Sequence, residues 1–358
     1  MKYLDIYKSL KNDIRSGIYM PDTKLPSALE LKSLFKVSTR TIQHSLNLLE
    51  KEGLIKGVRS QGIFVRNTKD LLSYGNLKNN GRISKVGILY PRYAMHTVGL
   101  AYFVHIFWGI QITLVKDKIR CYLIETRDKS IPEVFKEINA LEINGLICLE
   151  LENETLQKEL EQLKLPLVHL ELVSFRSSVP MISANHFQGG ELSVRHLHGL
   201  GHKKILFLYA RKKNDPDTDP TIKMRWQGIQ SEAKKAGISA AKESIQLQQP
   251  RNEERASMEH ILKAYQDCSG IIMACGYMLK TMKSIVENEP AKKNRSVDIV
   301  SFDEIDSVPD IGGRPVYFCV WNNELMGQKA VETLLNWNSS RPRIQYLPMY
   351  LSKSQDDK

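Results

Sequence analysis

Residues 25–65 read LPSALELKSLFKVSTRTIQHSLNLLEKEGLIKGVRSQGIFV, and this stretch predicts two short helices followed by a β-ribbon. Ser27 and Glu30 form a capping box, in which a hydroxyl and a carboxylate bind backbone N–H groups that a helix start leaves unpaired. Ser38 can cap a second helix, whose apolar residues recur on one face. The apolar runs at the end of the stretch, separated by a turn that contains Gly62, indicate two short strands.

The second helix would expose polar side chains on the side opposite its apolar face. Two capped helices joined by a short turn are typical of a helix-turn-helix, whose second helix lies in the major groove of DNA. We therefore predict that this module binds DNA, with helix starts near phosphates and the ribbon tip near the minor groove. The candidate DNA-binding residues are Ser27, Ser38, Thr39, Arg40, Thr41, Gln43, His44, Arg59 and Gln61.

Several motifs of this module occur in a characteristic order: Leu25-Pro26-Ser27, Val37-Ser38, Thr41, Leu46, Leu49, Glu52-Gly53-Leu54-Ile55 and Gly62 with Phe64-Val65. On these motifs, residues 3–65 resemble the winged helix-turn-helix of the gluconate-repressor (GntR) family of bacterial regulators. The resemblance implies a three-helix module with a two-stranded wing. The sequence departs from the family where Thr39 and Gln43 replace arginines and Ser60 replaces a glycine, so the family's operator sequence does not transfer to this chain.

Charge and composition indicate which partners the protein binds and in which compartment it works. The chain has 358 residues and a formal net charge of +11, and its first 70 residues contain 13 Lys and Arg against 7 Asp and Glu. A basic surface of this kind attracts phosphate. No apolar run approaches the roughly 20 residues of a membrane span, the first residues do not resemble a signal peptide, and the scattered cysteines indicate reduced thiols. We expect a soluble, cytoplasmic protein with no membrane partner.

The rest of the chain predicts an α/β fold. Glycine and asparagine cluster in residues 67–84, which is typical of a linker, and short apolar runs then alternate with helical patterns in two successive series. Such alternation builds parallel sheets covered by helices, here as two lobes with a cleft. The predicted organisation is a winged helix-turn-helix over 1–68, a linker over 69–84, and an effector-binding and dimerisation domain over 85–358, with lobe 1 at about 85–198 and 321–340 and lobe 2 at about 199–320 and 341–358.

Polar and aromatic residues follow several predicted strands. In open parallel sheets a ligand binds beyond the carboxyl ends of the strands. A carboxylate can accept hydroxyl groups, an arginine donates a planar fork, and an aromatic face covers the C–H side of a sugar or base. We therefore expect a ligand site formed by Arg92, Tyr93, Asp303, Glu304, Trp321 and Asn322.

The second region also contains ordered motifs: Val86-Gly87-Ile88-Leu89-Tyr90-Pro91, Tyr102-Phe103, Asn144-Gly145-Leu146-Ile147, Gly201-His202-Lys203-Lys204-Ile205, Arg225-Trp226-Gln227-Gly228-Ile229 and Phe302-Asp303-Glu304. On these motifs it resembles the sensor domain of the lactose/galactose-repressor (LacI/GalR) family, itself similar to periplasmic sugar-binding proteins. The resemblance implies that Arg225 and Asp303 contact an effector, while Cys275 replaces a usual asparagine. The candidate effector-binding residues are Arg92, Tyr93, Tyr102, Gln188, Arg225, Cys275, Asp303, Trp321 and Asn322.

A gluconate-type DNA module followed by a lactose-type sensor is similar to the arabinose-repressor type of chimeric regulator. We predict a homodimeric, ligand-responsive transcriptional regulator, a repressor that binds a pseudo-palindromic DNA operator and is released by a small carbohydrate. Two alternatives with the same architecture stay open: a non-sugar effector such as a nucleobase or an amino-acid-like metabolite, and an activator. No cofactor is predicted.

The sequence lacks the motifs expected of an enzyme, a transport-type binding protein or a metal-binding protein. An enzyme fused to a DNA module would need a longer catalytic part and a cofactor lysine motif, and a transport-type binding protein would need an export signal. His196, His198 and His202 are close in sequence, but only the last two have a ligand spacing and glycines interrupt that stretch, which disfavours a metal site. Residues 215–220 contain three aspartates and two prolines, which predict a loop rather than a calcium site.

Overall fold

The structure is a computed structural model that describes residues 3–15, 18–20, 22–51, 54–58, 61–66, 82–91, 100–151, 153–163, 165–171, 179–211, 219–246, 251–288, 297–303, 308–337 and 344–353. The predicted linker therefore lies almost entirely outside the described residues. So do Arg59, Arg92, Tyr93 and Glu304 among the candidate site residues.

The amino-terminal module has three helices and a two-stranded wing, as the sequence predicted. Its elements are α1 (Tyr3–Arg15), α2 (Ala28–Phe35), α3 (Thr39–Lys51), β1 (Ile55–Val58) and β2 (Gly62–Val65). The strands are antiparallel, and Lys24 forms an additional bridge to Phe64. Apolar residues from all three helices and both strands form one core. Lys36 ends α2 in the left-handed conformation, with φ of 52°, and thereby turns the chain into α3.

The first lobe contains a six-stranded parallel sheet in the order β14-β7-β6-β5-β3-β4. Strand β5 is buried along its whole length, as a parallel strand covered on both faces must be. The elements of this lobe are β3 (Lys85–Tyr90), α4 (Leu100–Lys116), β4 (Arg120–Glu125), α5 (Ile131–Ala140), β5 (Gly145–Leu149), α6 (Glu154–Glu161), β6 (Leu167–Leu170), β7 (Met181–Ala184), α11 (Asn323–Leu335) and β14 (Ile344–Leu347).

The second lobe repeats this arrangement with the strand order β15-β13-β11-β10-β8-β9, in which β15 is antiparallel, and the two-residue strand β12 also pairs with β13. Its elements are α7 (His186–Gly199), β8 (Lys204–Arg211), α8 (Pro220–Ala236), β9 (Ser239–Gln246), α9 (Arg251–Ala264), β10 (Gly270–Met273), a short 3₁₀ helix (Gly276–Met278), α10 (Leu279–Asn288), β11 (Asp298–Phe302), β12 (Asp310–Ile311), β13 (Arg314–Val320) and β15 (Tyr350–Lys353).

Three chain crossings join the lobes. Strand β7 leads into α7, which packs against β11, β13 and α8; strand β13 leads into α11, which packs against the first sheet; and β14 leads into β15. The expected lobe boundaries differ from this topology at two places. Helix α7 was expected in lobe 1 but lies in lobe 2, and β14 was expected in lobe 2 but pairs with β7 in lobe 1.

In each lobe, one helix that follows a crossing packs against a neighbouring helix through glycines. A Cβ atom on Gly190 of α7 would lie 2.2 Å from the Arg225 carbonyl oxygen, and one on Gly228 of α8 would lie 2.0 Å from the Phe187 oxygen. In lobe 1, Gly109 of α4 and Gly327 of α11 meet equally closely. Side chains at these positions would force the helix backbones apart.

No helix in the part of the chain that the structure describes is both long enough and apolar enough to cross a membrane.

Candidate functional site

Two capping arrangements hold the helices of the amino-terminal module. The Ser27 hydroxyl accepts the Glu30 backbone N–H at 3.3 Å, and the Glu30 carboxylate accepts the Ser27 N–H at 2.7 Å, which confirms the predicted capping box. These bonds lower the pKa of Glu30. At the start of α3, the Ser38 hydroxyl accepts the Thr41 N–H at 3.2 Å and also bonds the Thr41 hydroxyl at 2.8 Å. The hydroxyls of Ser38 and Thr41 are thus engaged with each other.

The exposed side of α3 presents a row of polar side chains. Thr39, Arg40 and Gln43 are all exposed, and the Gln43 amide donates to Asn47 at 3.3 Å. The His44 ring packs against the Tyr3 ring at 5.7 Å between centroids, which orients this histidine toward α1. Gln61 is exposed in the turn of the wing, and its partner at the tip, Arg59, lies outside the described residues. The described part of the predicted DNA-binding set therefore lies on α2, α3 and the wing.

A buried set of charged side chains lies at the carboxyl ends of strands from both lobes, where the first crossing enters α7. The Glu171 carboxylate, just after β6, bonds His186 Nε2 at 2.9 Å and accepts the Ala184 N–H at 2.7 Å. Arg225 of α8 donates from Nε to His186 Nδ1 at 3.2 Å and from Nη1 to the Ala274 carbonyl. Its guanidinium carbon lies 4.3 Å from the centroid of the Phe302 ring. We call the space bordered by these residues the crevice.

Asp303 and Cys275 follow β11 and β10 on the lobe 2 side of the crevice. Burial raises the pKa of Asp303, although the positive charge of Arg225 opposes that shift. Asp303 has φ of 68°, a left-handed conformation that is costly for a residue with a side chain and is concentrated at functional sites. Burial, followed by the nearby Asp303 charge, also raises the pKa of the Cys275 thiol, so this thiol stays protonated.

Aromatic side chains close the crevice at the second crossing. Trp321 is 6% exposed, and its ring contacts the His186 ring at 5.6 Å and the Tyr102 ring at 5.6 Å, both edge to face. Its indole N–H is buried without a hydrogen-bond partner among the described residues. An unpartnered buried donor is costly, and it is a common feature of a site that a ligand completes.

Residues 84–355 match the family described as periplasmic binding proteins and sugar binding domain of the LacI family. The chain belongs to this LacI-type family. Residues 2–65 match a second family, the bacterial regulatory proteins of the gntR family, so the LacI-type domain follows a GntR-type DNA-binding domain. Both resemblances inferred from the sequence motifs are confirmed.

Curated relatives include regulators with a DNA-binding domain of this kind. The arabinose metabolism transcriptional repressor of Geobacillus stearothermophilus is 28% identical over 212 residues, which cover 57% of this chain and 55% of the relative. The HTH-type transcriptional repressor NagR of Bacillus subtilis is 36% identical over 67 residues, which cover 19% of this chain and 28% of NagR. The chain thus spans about half the length of the first relative and less of the second.

Solved structures of LacI-type proteins share the fold. A complex of the transcriptional regulator CelR with cellobiose has a TM-score of 0.60 at 15% identity and covers 92% of this chain and 100% of its own. A LacI family transcriptional regulator from Enterococcus faecium with bound ribose has a TM-score of 0.58 at 17% identity and covers 75% of this chain and 97% of its own. At these identities the likeness shows the fold alone.

Within the LacI-type domain, the structure brings most described candidates to the crevice and gives two of them structural bonds. Arg225, Cys275, Asp303, Trp321 and Tyr102 lie around it, as described above. Gln188 uses its side-chain oxygen to accept the Met349 N–H at 3.0 Å, which ties α7 to the third crossing. Asn322 caps α11 by accepting the Leu325 N–H at 2.7 Å. The roles of all seven residues in ligand contact stay predictions.

The sequence reasoning missed Glu171 and His186. The rule that identified Asp303, a polar residue directly after a buried strand, also applies to Glu171 after β6. His186 could not be found this way because the preceding short strand, Met181–Ala184, was not recognised.

The three clustered histidines have separate partners. His202 bonds Ser269 at 2.7 Å and Asp298 at 2.9 Å, the tilted rings of His196 and Tyr317 have centroids 4.0 Å apart, and His198 contacts Lys203. Among the residues that the structure describes, no group of His, Cys, Asp and Glu has the arrangement of a metal site.

Proposed function

We propose that this protein is a cytoplasmic, homodimeric transcriptional repressor whose DNA affinity is controlled by a small sugar bound in the crevice. The observation that supports the proposal most directly is the combination of unpartnered polar groups in the crevice. The buried Trp321 indole N–H has no hydrogen-bond partner, and the Asp303 carboxylate accepts no hydrogen bond, among the described residues. An unpartnered N–H donor on Trp321 and an unpartnered carboxylate acceptor on Asp303, both beside Arg225, suit a ligand with many hydroxyl groups.

Sugar chemistry fits the side chains around the crevice. Hydroxyl groups both donate and accept, so they can bind the Asp303 carboxylate and the free N–H groups of Arg225 together. The faces of Trp321 and Tyr102 can cover the apolar C–H side of a pyranose. A thiol at Cys275, which stays protonated, makes only weak hydrogen bonds and therefore selects for size more than for hydroxyl pattern.

The effector would act by changing how the lobes are arranged. The crevice residues lie next to the crossings, so a ligand that holds both lobes favours one arrangement of the pair. DNA affinity changes only if the ligand binds the two arrangements unequally. In a dimer, such a change alters the distance between the two winged helices and hence their fit to two operator half-sites.

An apolar surface on lobe 1 supports the dimer. Val104, Trp108 and Val115 are exposed on one side of α4, and Leu123 is exposed on the neighbouring edge strand β4. Large apolar residues exposed together on neighbouring elements are typical of a protein interface. We propose that a second copy of the chain covers it.

At the DNA, α3 would lie in the major groove. Arg40 and Gln43, together with Thr39, are exposed for contact with base edges or phosphates, while the Ser27 and Ser38 helix starts face phosphates. His44 packs against Tyr3 and would reach the DNA backbone rather than a base. Gln61 and Arg59 at the wing would border the minor groove.

The proposal is tested with purified protein in two steps. An operator is first selected from random duplex DNA, and its retention by the protein should fall steeply with salt because phosphate contacts release counterions. Thermal melting is then measured with arabinose, ribose, maltose, cellobiose, nucleobases and amino acids, and the compound that raises the melting temperature is added to the DNA complex.

A sugar that raises the melting temperature and releases the operator supports the proposal. Arg225→Ala and Asp303→Ala should abolish that release and retain DNA binding. A shift with a nucleobase or amino acid alone would favour the alternative effector class. Tighter DNA binding with sugar would contradict release by the effector, and no selected DNA sequence would contradict regulation altogether.

A further inference from the structure

A hydrogen-bonded chain of three buried side chains runs from lobe 1 into lobe 2. Glu171 belongs to lobe 1, while His186 begins α7 and Arg225 lies on α8, both in lobe 2. The Glu171 and His186 side chains are 3% and 0% exposed, and Arg225 is 6% exposed. The bond between Glu171 and His186 therefore joins the lobes directly beside the first crossing, away from water.

The hydrogen-bond donors among these three side chains determine which ring nitrogen of His186 carries the proton. A guanidinium group only donates hydrogen bonds, so the nitrogen that receives the Arg225 Nε–H, His186 Nδ1, must be without a proton. The proton of the neutral imidazole then lies on Nε2, from which it donates to the Glu171 carboxylate at 2.9 Å. Glu171 is itself held by the Ala184 N–H, so its orientation depends on the backbone of β7.

Three groups restrain the guanidinium of Arg225. His186 binds Nε, the Ala274 carbonyl binds Nη1, and the Phe302 ring lies against the planar face at 4.3 Å. No acceptor among the described residues binds Nη2. The guanidinium is thus held in one plane with Nη2 free to bind a ligand. An arginine held in this way loses little conformational entropy when a ligand binds.

We propose that Glu171 and His186 are positioning residues, which fix the plane and direction of the Arg225 fork so that its open end binds adjacent hydroxyl groups of the effector. The inference rests on the proposed sugar-binding function. Because the Glu171–His186 bond crosses between lobes, the fork is correctly placed only when the lobes have the arrangement seen here. Effector binding is thereby coupled to lobe arrangement through this chain.

The first test compares four variants by calorimetry with whichever of arabinose, ribose, maltose and cellobiose gives the largest melting shift. His186→Phe keeps the ring but removes both hydrogen bonds, and it should weaken binding roughly 10- to 100-fold, as expected for a lost hydrogen bond to a charged group. His186→Gln can accept from Arg225 and donate to Glu171, so it should restore affinity close to that of the wild type. Glu171→Ala should lie near His186→Phe. His198→Gln, at the far end of α7, is the matched control and should bind like the wild type.

The second test needs no ligand. The ring-nitrogen NMR signals of His186, assigned by comparison with His186→Gln, should show Nδ1 without a proton and a protonated Nε2. Melting temperatures and operator binding without sugar show that each variant is folded.

Weak binding in His186→Phe, recovery in His186→Gln and the stated tautomer together support the inference. Unchanged binding in His186→Phe, a His186→Gln variant as weak as His186→Phe, or a proton on Nδ1 would overturn it. If the wild type responds to none of the four sugars, the proposed sugar effector fails, and the tautomer alone then decides whether the chain of hydrogen bonds exists.

Discussion

Replacing Gly228 by alanine should destabilise the effector domain and weaken effector binding at the same time. The added Cβ would lie 2.0 Å from the Phe187 carbonyl oxygen and 2.9 Å from its carbon. Both are backbone atoms that cannot rotate away, so α7 and α8 must separate by about 1 Å, since contacts in protein interiors are close-packed.

The expected magnitude follows from this contact. Overpacking costs about 3 kcal/mol when the backbone itself must shift, and alanine returns about 1 kcal/mol through its helix propensity. The net loss of about 2 kcal/mol corresponds to a melting temperature lower by roughly 4–8 °C in a domain of this size. Arg225 lies one helical turn before Gly228, so the same displacement would lengthen its bond to His186, and sugar affinity should fall roughly tenfold or more.

Differential scanning calorimetry and a sugar titration measure both effects. Gly199→Ala is the matched control, because that glycine ends α7 and its added Cβ would meet no atom within 4 Å. It should leave stability unchanged or slightly raised and binding unaffected. If Gly228→Ala melts at the same temperature as Gly199→Ala, the close helix contact is not a constraint on this protein.

Three further changes test other parts of the molecule. Asp303→Asn should raise the free energy of unfolding at neutral pH and abolish the sugar response, because burial raises the Asp303 pKa and the carboxylate charge therefore opposes folding above that pKa. The gain in unfolding free energy should shrink as the pH falls and vanish at about pH 4. A gain that grows on acidification would contradict this reasoning. Arg40→Ala should weaken operator binding by about 1–3 kcal/mol if the arginine reads a base. Lys8→Ala removes an exposed charge from α1 and should have a smaller effect. Equal losses of operator affinity in the two variants would argue against contact between Arg40 and a base. Ser27→Ala should cost the DNA-binding domain about 1 kcal/mol and Ser27→Gly only a few tenths, and denaturant melts that show no difference from the wild type would refute the importance of the capping box.

Local chemistry made the amino-terminal domain predictable. The capping residue Ser27, the cap at Ser38 and the apolar spacing of α3 act over a few residues, so they can be read without knowing the rest of the fold. The strand and helix alternation of the effector domain was also readable, because parallel strands such as β5 are continuous apolar runs. The rule for strand ends then located Asp303 and Trp321, and the family motif located Arg225.

The parts that could not be predicted depend on distant partners. Strand β9, Ser239–Gln246, is an edge strand in which only Ile245 is buried, so it has no apolar run. Helix α7 follows a lobe 1 strand in sequence, and its contacts with α8, β11 and β13 place it in lobe 2. His186 owes its position to that placement, so no local sequence pattern indicated its role.

The matching strand orders of the two lobes have a consequence for how a ligand is oriented. Strand β6 in one half corresponds to β11 in the other, so Glu171 and Asp303 are counterparts, and both are left-handed, with φ of 56° and 68°. A molecule bound between the lobes therefore meets a carboxylate position from each lobe. The two carboxylates nevertheless differ in their partners: His186 bonds Glu171, whereas its counterpart Asn323, next after the capping asparagine, makes no hydrogen bond to Asp303 among the described residues, so the two ends of a bound molecule would meet different groups.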